Sequence, residues 1–216
     1  MAHPYWPLFD LRLRTSRLEL SVPADEDLVQ LAALARGGVH PPEVMPFQVP
    51  WTDRPSPELE RSVLRWHWRC RAETCPERWW LEFVVRRDGV LVGTQSLSAE
   101  GFLALRTVST GSWLGGRHQR QGIGTEMRAA VLHLAFEGLG AEVATSAAFA
   151  DNPASERVSR RLGYELNGVE RKAPRGVARE LRRYRLTRAA WEARRSVEVQ
   201  IEGLGPCLPL LGAGPA

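Results

Sequence analysis

Residues 118–127 read HQRQGIGTEM, and this stretch decides how the rest of the chain is interpreted. Two glycines, Gly122 and Gly124, stand one residue apart, after the β-rich run VSTGSWLGG and before an amphipathic run. Glycine costs about 0.8–1 kcal/mol relative to alanine inside a helix. Two glycines at a helix start therefore indicate a role other than stabilising the helix. A glycine-rich turn lets backbone amides approach a phosphate, and the helix N-terminus adds partial positive charge. The stretch therefore predicts an anion-binding loop.

Two common phosphate-binding motifs do not fit this loop. A P-loop needs Gly-Lys-Ser/Thr, but the only lysine of the chain is Lys172. The dinucleotide fingerprint needs a third glycine where Met127 stands, and it opens a βαβ unit, whereas this loop comes late in the chain. A glycine-softened turn without a ligand remains an alternative for this motif taken alone.

Composition narrows the class of protein. The 216 residues suffice for one domain with a buried core, and 44% hydrophobic and 25% charged residues are typical of a soluble protein. No apolar run has the length of a membrane span, and MAHPYWPLFD lacks the features of a secretory signal. We therefore expect a cytoplasmic protein without a membrane partner. Cys70, Cys75 and Cys207 are odd in number and lack C-x-x-C spacing, so neither disulfides nor a metal site are expected.

The net charge is +4, and almost all of the positive charge is supplied by arginine. Such a balance is compatible with an anionic ligand or with nucleic acid. The arginine-rich stretch from 170 to 195 is interrupted by acidic residues and has no aromatic platform of the RRM kind. Nucleic-acid binding is therefore kept only as a minor hypothesis.

The order of predicted elements indicates a mixed α/β sheet with helices on its faces. The segment 11–22 alternates as a strand, 24–35 and 58–73 have helical periodicity, and the Pro-rich segment 39–57 connects them. Asp88–Gly89 predicts the turn of a hairpin spanning 79–98. A strand at 108–116, a helix from the glycines to about Phe136, a strand at 142–149, a short helix and two further strands follow. The end, GLGPCLPLLGAGPA, is expected to be loosely ordered.

Two motifs in the correct order resemble those of a known family. Gln119-Arg-Gln-Gly122-Ile-Gly124 resembles the Q/R-x-x-G-x-G/A motif of the GCN5-related N-acetyltransferases (GNAT), and DNPASERVSRRLGY is similar to their N-x-x-S…GF/Y segment. The opening TSRLEL and the closing YRLT…Trp191 resemble the branch with the ribosomal-protein alanine acetyltransferases. PFQVPWT, GSWLG and GTEMRAAV are similar to an actinobacterial subgroup that includes users of succinyl-CoA. The resemblance covers roughly residues 12 to 191.

The resemblance implies a GNAT fold, with a mixed, mostly antiparallel sheet of about six or seven strands, helices on both faces and splayed central strands. It also implies a GNAT domain over residues 1–191, followed by a tail, 192–216. Val197, Val199 and Ile201 alternate in that tail, so it could pair with another chain in a homo-oligomer or dock on its own chain.

The resemblance further implies which residues bind the acyl-CoA co-substrate: the coenzyme pyrophosphate on loop amides, and the pantetheine arm along the preceding strand. The implied set is Trp113, Leu114, Gln119, Arg120, Gln121, Gly122, Ile123, Gly124, Thr125, Asn152 and Ser155. Ser155 is also the implied catalytic acid that protonates the leaving thiolate. Asn152 could equally be a plain helix cap, and Ser155 a solvated helix serine.

The family's reaction is direct transfer of an acyl group to an amine in a ternary complex, and an ammonium substrate needs a base. The strand through Val108 carries no carboxylate, so Glu82 and Glu100 on the neighbouring hairpin are the nearest candidates. His67 and His118 are more simply explained as packed or surface histidines. A protein N-terminus with a pKa near 8 would need little help.

The long Pro-rich segment 39–57 offers three apolar side chains, Met45, Phe47 and Trp51. Structureless loops of this length are usually functional or disordered. We predict that these residues wall the acceptor pocket; the alternative is that they only seal the core.

The sequence therefore predicts an N-acyltransferase that moves an acetyl or succinyl group from acyl-CoA to an amine. The acceptor, a small molecule, a protein N-terminus or a lysine, stays open. The competing hypothesis is a non-catalytic acyl-CoA-binding regulatory protein, because the expected strand carboxylate is missing.

Overall fold

The computed structural model describes residues 3–214. Met1, Ala2, Pro215 and Ala216, which the predicted domain bounds include, lie outside the described residues. The elements in chain order are β1 (Arg12–Arg14), β2 (Leu18–Ser21), α1 (Asp25–Arg36), α2 (Glu58–Glu73), β3 (Arg78–Arg87), β4 (Val90–Glu100), α3 (Phe102–Leu105), β5 (Thr107–Leu114), α4 (Ile123–His133), β6 (Val143–Phe149), α5 (Pro153–Arg161), β7 (Glu165–Lys172), β8 (Arg179–Thr187), α6 (Arg188–Glu192) and β9 (Gln200–Glu202).

The strands form one sheet in the order β7-β8-β6-β5-β4-β3-β2-β1-β9. Of these neighbouring pairs only β5 and β6 run parallel, so the predicted mixed and mostly antiparallel α/β sheet is confirmed. The hairpin predicted at Asp88–Gly89 joins β3 to β4, with both turn residues at positive φ (52° and 76°). This is the backbone geometry that favours Asp-Gly in a two-residue turn.

Across residues 3–214 the sheet has nine strands rather than six or seven. One extra strand arises because the predicted strand over 11–22 is a hairpin, β1 paired with β2. The Thr15 hydroxyl accepts hydrogen bonds from the amides of Arg17 (3.3 Å) and Leu18 (3.0 Å) and so forms the turn. A threonine turn of this kind needs neither glycine nor proline, and the alternating pattern hides it.

The other extra strand lies in the C-terminal segment. β9 pairs antiparallel with β1, with Ile201 opposite Leu13. A 3₁₀ helix, Gly205–Leu211, follows and buries Cys207 and Leu211 completely. The expectation of a loosely ordered end is therefore wrong for the part of it that the structure describes, because these apolar side chains complete the main core.

Helices cover both faces of the sheet. α1 and α2 pack on one face in a cluster that includes Val84 and Trp113, and α4 packs on the other within the main core. α4 continues through a π turn, Leu134–Gly138, close to the predicted helix end. Within residues 3–214, no helix has the length and apolar character needed to cross a membrane.

The central parallel pair is open over half of its length. β5 and β6 pair only through 107–109 and 143–145, after which hydroxyl groups replace the ladder: Ser146 donates to the Thr110 carbonyl at 3.4 Å. The Gly115 amide donates to the Val92 carbonyl at 3.0 Å, so odd-numbered residues of β5 pair with β4. Because such pairing alternates along a strand, the amides of Ser112 and Leu114 face the gap. We call this opening the β5–β6 gap.

Candidate functional site

The start of α4 presents a row of unpaired backbone amides beside the β5–β6 gap. Within residues 3–214, the amides of 120–124 have no hydrogen-bond acceptor, and the helix lacks a side-chain cap. Arg120 and Gly122 adopt positive φ, 59° and 79°, which turns successive amides toward one side. A concave run of amides at a helix N-terminus attracts anions. The predicted positions Arg120 to Gly124 therefore share one anion-binding geometry, and Thr125 begins the hydrogen-bonded helix, donating to the Gly122 carbonyl.

Two predicted glutamines brace this loop with their side chains. The Gln119 amide group donates to the carbonyls of Val39 (2.6 Å) and Leu114 (3.0 Å). Gln121 donates to the Arg117 carbonyl at 3.0 Å and accepts from the Arg87 guanidinium at 2.9 Å. Their side chains therefore tie the loop to β3, β5 and the Pro-rich segment.

An arginine that motif reading missed neutralises the acidic residue in the first turn of α4. Arg17 forms an ion pair with Glu126, and its Nε lies 2.8 Å from the carboxylate. Thr15 donates to the same carboxylate at 2.6 Å. Without these partners a nearly buried negative charge would oppose anion binding at this helix end. TSR at 15–17 lies inside the strand predicted over 11–22, and nothing in its spacing indicates a contact with α4.

Across the gap, α5 begins immediately after β6. Asn152 accepts a hydrogen bond from the Ser155 amide at 3.1 Å, so it is the cap of α5. Ser155 is half-buried, and its hydroxyl has no hydrogen-bond partner among residues 3–214. A Cβ placed on Gly124 would lie 3.9 Å from Val158, so the start of α4 adjoins the middle of α5. The Asn152 amide donates to the Phe149 carbonyl at 2.9 Å, so Asn152 and Ser155 directly follow the end of β6, the strand that lines the gap.

The two predicted residues of β5 have different surroundings. Leu114 faces the gap with its amide, whereas the backbone of Trp113 pairs with Thr94 of β4. The Trp113 ring packs against Trp51 at 5.6 Å between centroids. Trp113 therefore connects the strand to the Pro-rich segment on the α1–α2 face.

The Pro-rich segment lies over this face as an aromatic stack. Phe47 and Trp51 are half-buried with centroids 5.2 Å apart, whereas Met45 is buried. The segment is fastened to the β7–β8 turn: the Arg175 guanidinium contacts both Asp53 oxygens, at 2.6 and 2.5 Å. Arg179 also donates to the Met45 carbonyl at 2.6 Å. We call the Arg175–Asp53 pair the clasp.

The candidate bases differ sharply in environment. Burial raises the pKa of Glu82 to about 7, although a hydrogen bond from Trp66 opposes this. Glu100 is exposed at the end of β4. Burial lowers the pKa of His67 to about 4 and also lowers that of His118. Glu82 thus combines burial inside the sheet with a pKa raised to about 7.

A buried arginine lies beside the gap, and motif reading missed it too. Arg128 is 4% exposed and donates to the Ser159 hydroxyl at 3.0 Å and, more weakly, to the Ser112 hydroxyl at 3.4 Å. Its Nε has no partner, and within residues 3–214 it forms no ion pair with a carboxylate. Burial lowers its pKa, yet an arginine stays charged in a protein. This charge is therefore left without a compensating anion.

No group of three or more His, Cys, Asp or Glu side chains in the part of the chain that the structure describes could hold a metal ion. The cysteines there are free, and Cys70 and Cys207 are buried.

Both the sequence and the fold of this chain match those of known proteins. Residues 17–165 match the family model described as "Acetyltransferase (GNAT) domain". RimJ from Mycobacterium smegmatis, in complex with CoA-disulfide, is 20% identical with a TM-score of 0.67, covering 89% of this chain and 98% of that one. A GCN5-related N-acetyltransferase from Brucella melitensis is 19% identical, with a TM-score of 0.67 and coverage of 85% and 81%. RimL, a ribosomal L7/L12 alpha-N-protein acetyltransferase in complex with coenzyme A, is 18% identical, with a TM-score of 0.62 and coverage of 80% and 95%. At these identities the structural likeness establishes the fold.

Proposed function

Because this chain belongs to the GNAT acetyltransferase family, we propose that it transfers an acyl group from coenzyme A directly to a primary amine. The observation that supports this most strongly is the row of acceptor-free amides at 120–124 beside the β5–β6 gap. The amide row can hold an anion at the helix start, and the gap can hold an extended arm along its open strand edge. Coenzyme A carries both a pyrophosphate and such an arm.

We assign the binding roles by the groups that each residue leaves free. The amides of 120–124 hold the pyrophosphate, and the amides of Ser112 and Leu114 bond the pantetheine arm as an added strand would. Gln119 and Gln121 act by bracing the loop, and Asn152 by capping α5 while it borders the gap. Acyl-CoA itself supplies an activated thioester.

Ser155 is proposed to protonate the departing thiolate. Ser155 is half-buried on the first turn of α5, where the helix dipole also favours negative charge, and its hydroxyl has no partner among the residues that the structure describes. A positioned proton donor typically contributes about 10²–10⁴-fold to a rate.

The acyl group is proposed to be acetyl, with succinyl as the second candidate. The observation that favours succinyl is Arg128, which lies beside Ser112 of the gap and whose buried charge has no carboxylate partner in the described part of the chain. Guanidinium is well suited to a carboxylate because it can donate two parallel hydrogen bonds. If succinyl is the natural group, an Arg128→Met variant should lose preference for succinyl-CoA over acetyl-CoA, and an unchanged ratio would exclude this role.

The acceptor is proposed to be a protein N-terminal amine, with lysine and small amines as alternatives. RimL, whose fold is similar, is described as an alpha-N-protein acetyltransferase. The half-buried rings of Phe47 and Trp51, on the segment with buried Met45, offer an apolar wall on the side of the sheet opposite α4. We also propose that 1–191 is the catalytic domain and that 192–216 supports it. A homo-oligomer stays a prediction.

The proposal is tested by calorimetric binding of coenzyme A, acetyl-CoA and succinyl-CoA to the wild type and to Gly124→Glu. A Cβ on Gly124 meets Leu114 and Val158 only at ordinary contact distances, 3.8 and 3.9 Å, so the fold should tolerate the change. The added carboxylate should oppose the bound phosphates and weaken binding about 100-fold, which corresponds to about 2.7 kcal/mol. Gly205→Glu, at an exposed position with open space, is the matched control.

Absence of binding by the wild type would remove the acyltransferase proposal. Binding without transfer to any of several peptide or small amines would instead favour the regulatory alternative. The preferred donor in this titration would decide between acetyl and succinyl.

A further inference from the structure

Glu82, Ser96 and Gly111 form a row across three adjacent strands. Glu82 of β3 is the direct antiparallel partner of Ser96 in β4, and Ser96 is the direct partner of Gly111 in β5. Directly opposed residues of antiparallel strands project to the same face. Here that face is the α1–α2 face, because the next row, which contains Val84 and Trp113, packs there.

Solvent can reach one end of this row but not the other. Ser96 and Gly111 are half-buried, whereas Glu82 is 8% exposed under α2. With strands about 4.8 Å apart, the backbones of Glu82 and Gly111 are about 10 Å apart. A glutamate side chain, the Ser96 hydroxyl and one or two waters are enough to span that distance. The hydroxyl now donates to the Gly111 carbonyl at 3.0 Å and can rotate.

We propose that Glu82 receives the proton released by the acceptor amine, through the Ser96 hydroxyl and a bridging water near Gly111. This inference rests on the proposed acyl transfer. As the C–N bond forms and the C–S bond breaks, the amine proton passes to the water. Ser96 takes a proton from that water and gives its own to the Glu82 carboxylate, while Ser155 protonates the thiolate and is itself reprotonated by solvent. Glu82 then releases its proton to solvent, so amine and thioester give amide and thiol with no net change in protons. Glu82 and Ser96 thus act on the amine at a distance.

The charged and titratable groups around Glu82 leave its carboxylate able to take a proton at neutral pH. α2 supplies His67, Cys70 and Arg71. Burial lowers the pKa of His67 and raises that of Cys70, so both are neutral there. Arg71 is engaged by Asp25 and by the Pro23 carbonyl. Desolvation therefore governs Glu82, and the geometry of the row gives its carboxylate a route to the gap.

Glu100, the other candidate carboxylate, does not fit this role. It lies four residues beyond Ser96 on β4, which is about 13 Å along the strand, and it pairs with Arg78 at the sheet end. Its exposed position makes it a matched control.

The test is the pH dependence of kcat/KM for acetyl-CoA and a peptide with a free N-terminal alanine, run beside N-terminal serine and lysine peptides. The wild type should show an ionisation near pH 7 that Glu82→Gln abolishes, together with a fall of about 10²-fold above that pH. Ser96→Ala should lower the same plateau about 10-fold, Ser96→Thr should restore it, and Glu100→Gln should leave the profile unchanged. The double variant should fall no further than Glu82→Gln, since the two residues act in one path.

A readout independent of turnover is the carboxyl titration of Glu82, followed by carbon NMR in protein labelled on glutamate side chains. The resonance that titrates near neutrality should be absent in Glu82→Gln, while calorimetric binding of coenzyme A stays unchanged. An intact pH limb in Glu82→Gln, or full activity in Ser96→Ala, would overturn the inference and leave the acyltransferase proposal in place. If the wild type binds coenzyme A but acylates none of the peptides, both the proposed transfer and this path fall.

Discussion

The carboxyl of Glu82 gives this protein a pH-dependent stability that is opposite to the usual behaviour of a carboxyl group. Its pKa is raised to about 7 in the folded state, against 4.5 for the free side chain, so the folded protein binds the extra proton between these values. Its contribution to the free energy of unfolding is therefore complete below pH 4.5 and is lost as pH rises to 7, by about 3 kcal/mol. His67, with its lowered pKa, contributes in the opposite sense as pH falls from 6.5 to about 4.

We therefore expect Glu82→Gln to gain stability relative to the wild type as pH rises. The difference in the free energy of unfolding should shift in favour of the variant by about 3 kcal/mol between pH 4.5 and 8. Urea denaturation at several pH values measures this shift. Parallel curves would mean that the buried carboxyl is not perturbed.

The ion pair between Arg17 and Glu126 should matter more than its surface neighbours. Glu126 has a side chain only 9% exposed, so Arg17→Ala leaves a nearly buried carboxylate with Thr15 as its remaining partner. We expect a loss of about 2 kcal/mol in the free energy of unfolding, and weaker coenzyme A binding. The control, Arg14→Ala, breaks exposed pairs with Glu19 and Glu202 and should cost under about 1 kcal/mol. Equal losses in chemical denaturation would contradict this.

The residues of the candidate site differ in how readily they can be identified from the sequence. The loop at 119–125 could be predicted because its amides are consecutive in the chain and its glycines are unusual at a helix start. Arg17 and Arg128 could not, because their partners Glu126 and Ser159 come close only through packing. Glu82 was named as a candidate, but its connection to Gly111 needs the register of three strands.

At the scale of elements, the clasp decides how firmly the Pro-rich segment stays over the sheet. Arg175 binds Asp53 with two hydrogen bonds and the Pro42 carbonyl with a third at 2.8 Å. In Arg175→Ala we expect faster amide exchange over 42–53 and a several-fold higher KM for the amine, with coenzyme A affinity unchanged. Arg183→Ala, which removes an exposed pair between Arg183 of β8 and Glu170 of β7, is the control. Unchanged exchange would show that the aromatic stack alone holds the segment.

The elements that the sequence predicted share local, strong determinants. The Asp88–Gly89 turn and the Asn152 cap are examples, because each is fixed by residues adjacent in the chain. The break between β1 and β2 depends on the Thr15 side chain, which the alternating pattern conceals. The four-residue helix α3 is too short to show a period.

At the scale of the whole molecule, the C-terminal segment is part of the core. Leu211 is fully buried, whereas Leu166 on the edge strand β7 is 60% exposed. We expect Leu211→Ala to cost about 2–4 kcal/mol of the free energy of unfolding, and Leu166→Ala less than about 0.5 kcal/mol. Thermal and urea denaturation measure both. A loss of free energy of unfolding in Leu211→Ala as small as that in Leu166→Ala would indicate that the segment adds no stability. The sequence left docking of the tail on its own chain as one of two alternatives and did not predict the burial of Leu211, because a run rich in glycine and proline carries no period of its own.

The half-open pair of β5 and β6 has a consequence for the abundance of the protein in a cell. The unpaired backbone donors in the middle of the sheet form hydrogen bonds only when a ligand lies along them. A ligand that binds only the folded protein stabilises it against unfolding. At a ligand concentration 100 times the Kd, binding would add about 2.7 kcal/mol to the free energy of unfolding. Degradation that proceeds through unfolded chains would then slow when acyl-CoA is plentiful and quicken when it is scarce. The lifetime of the protein would follow the supply of the metabolite it consumes.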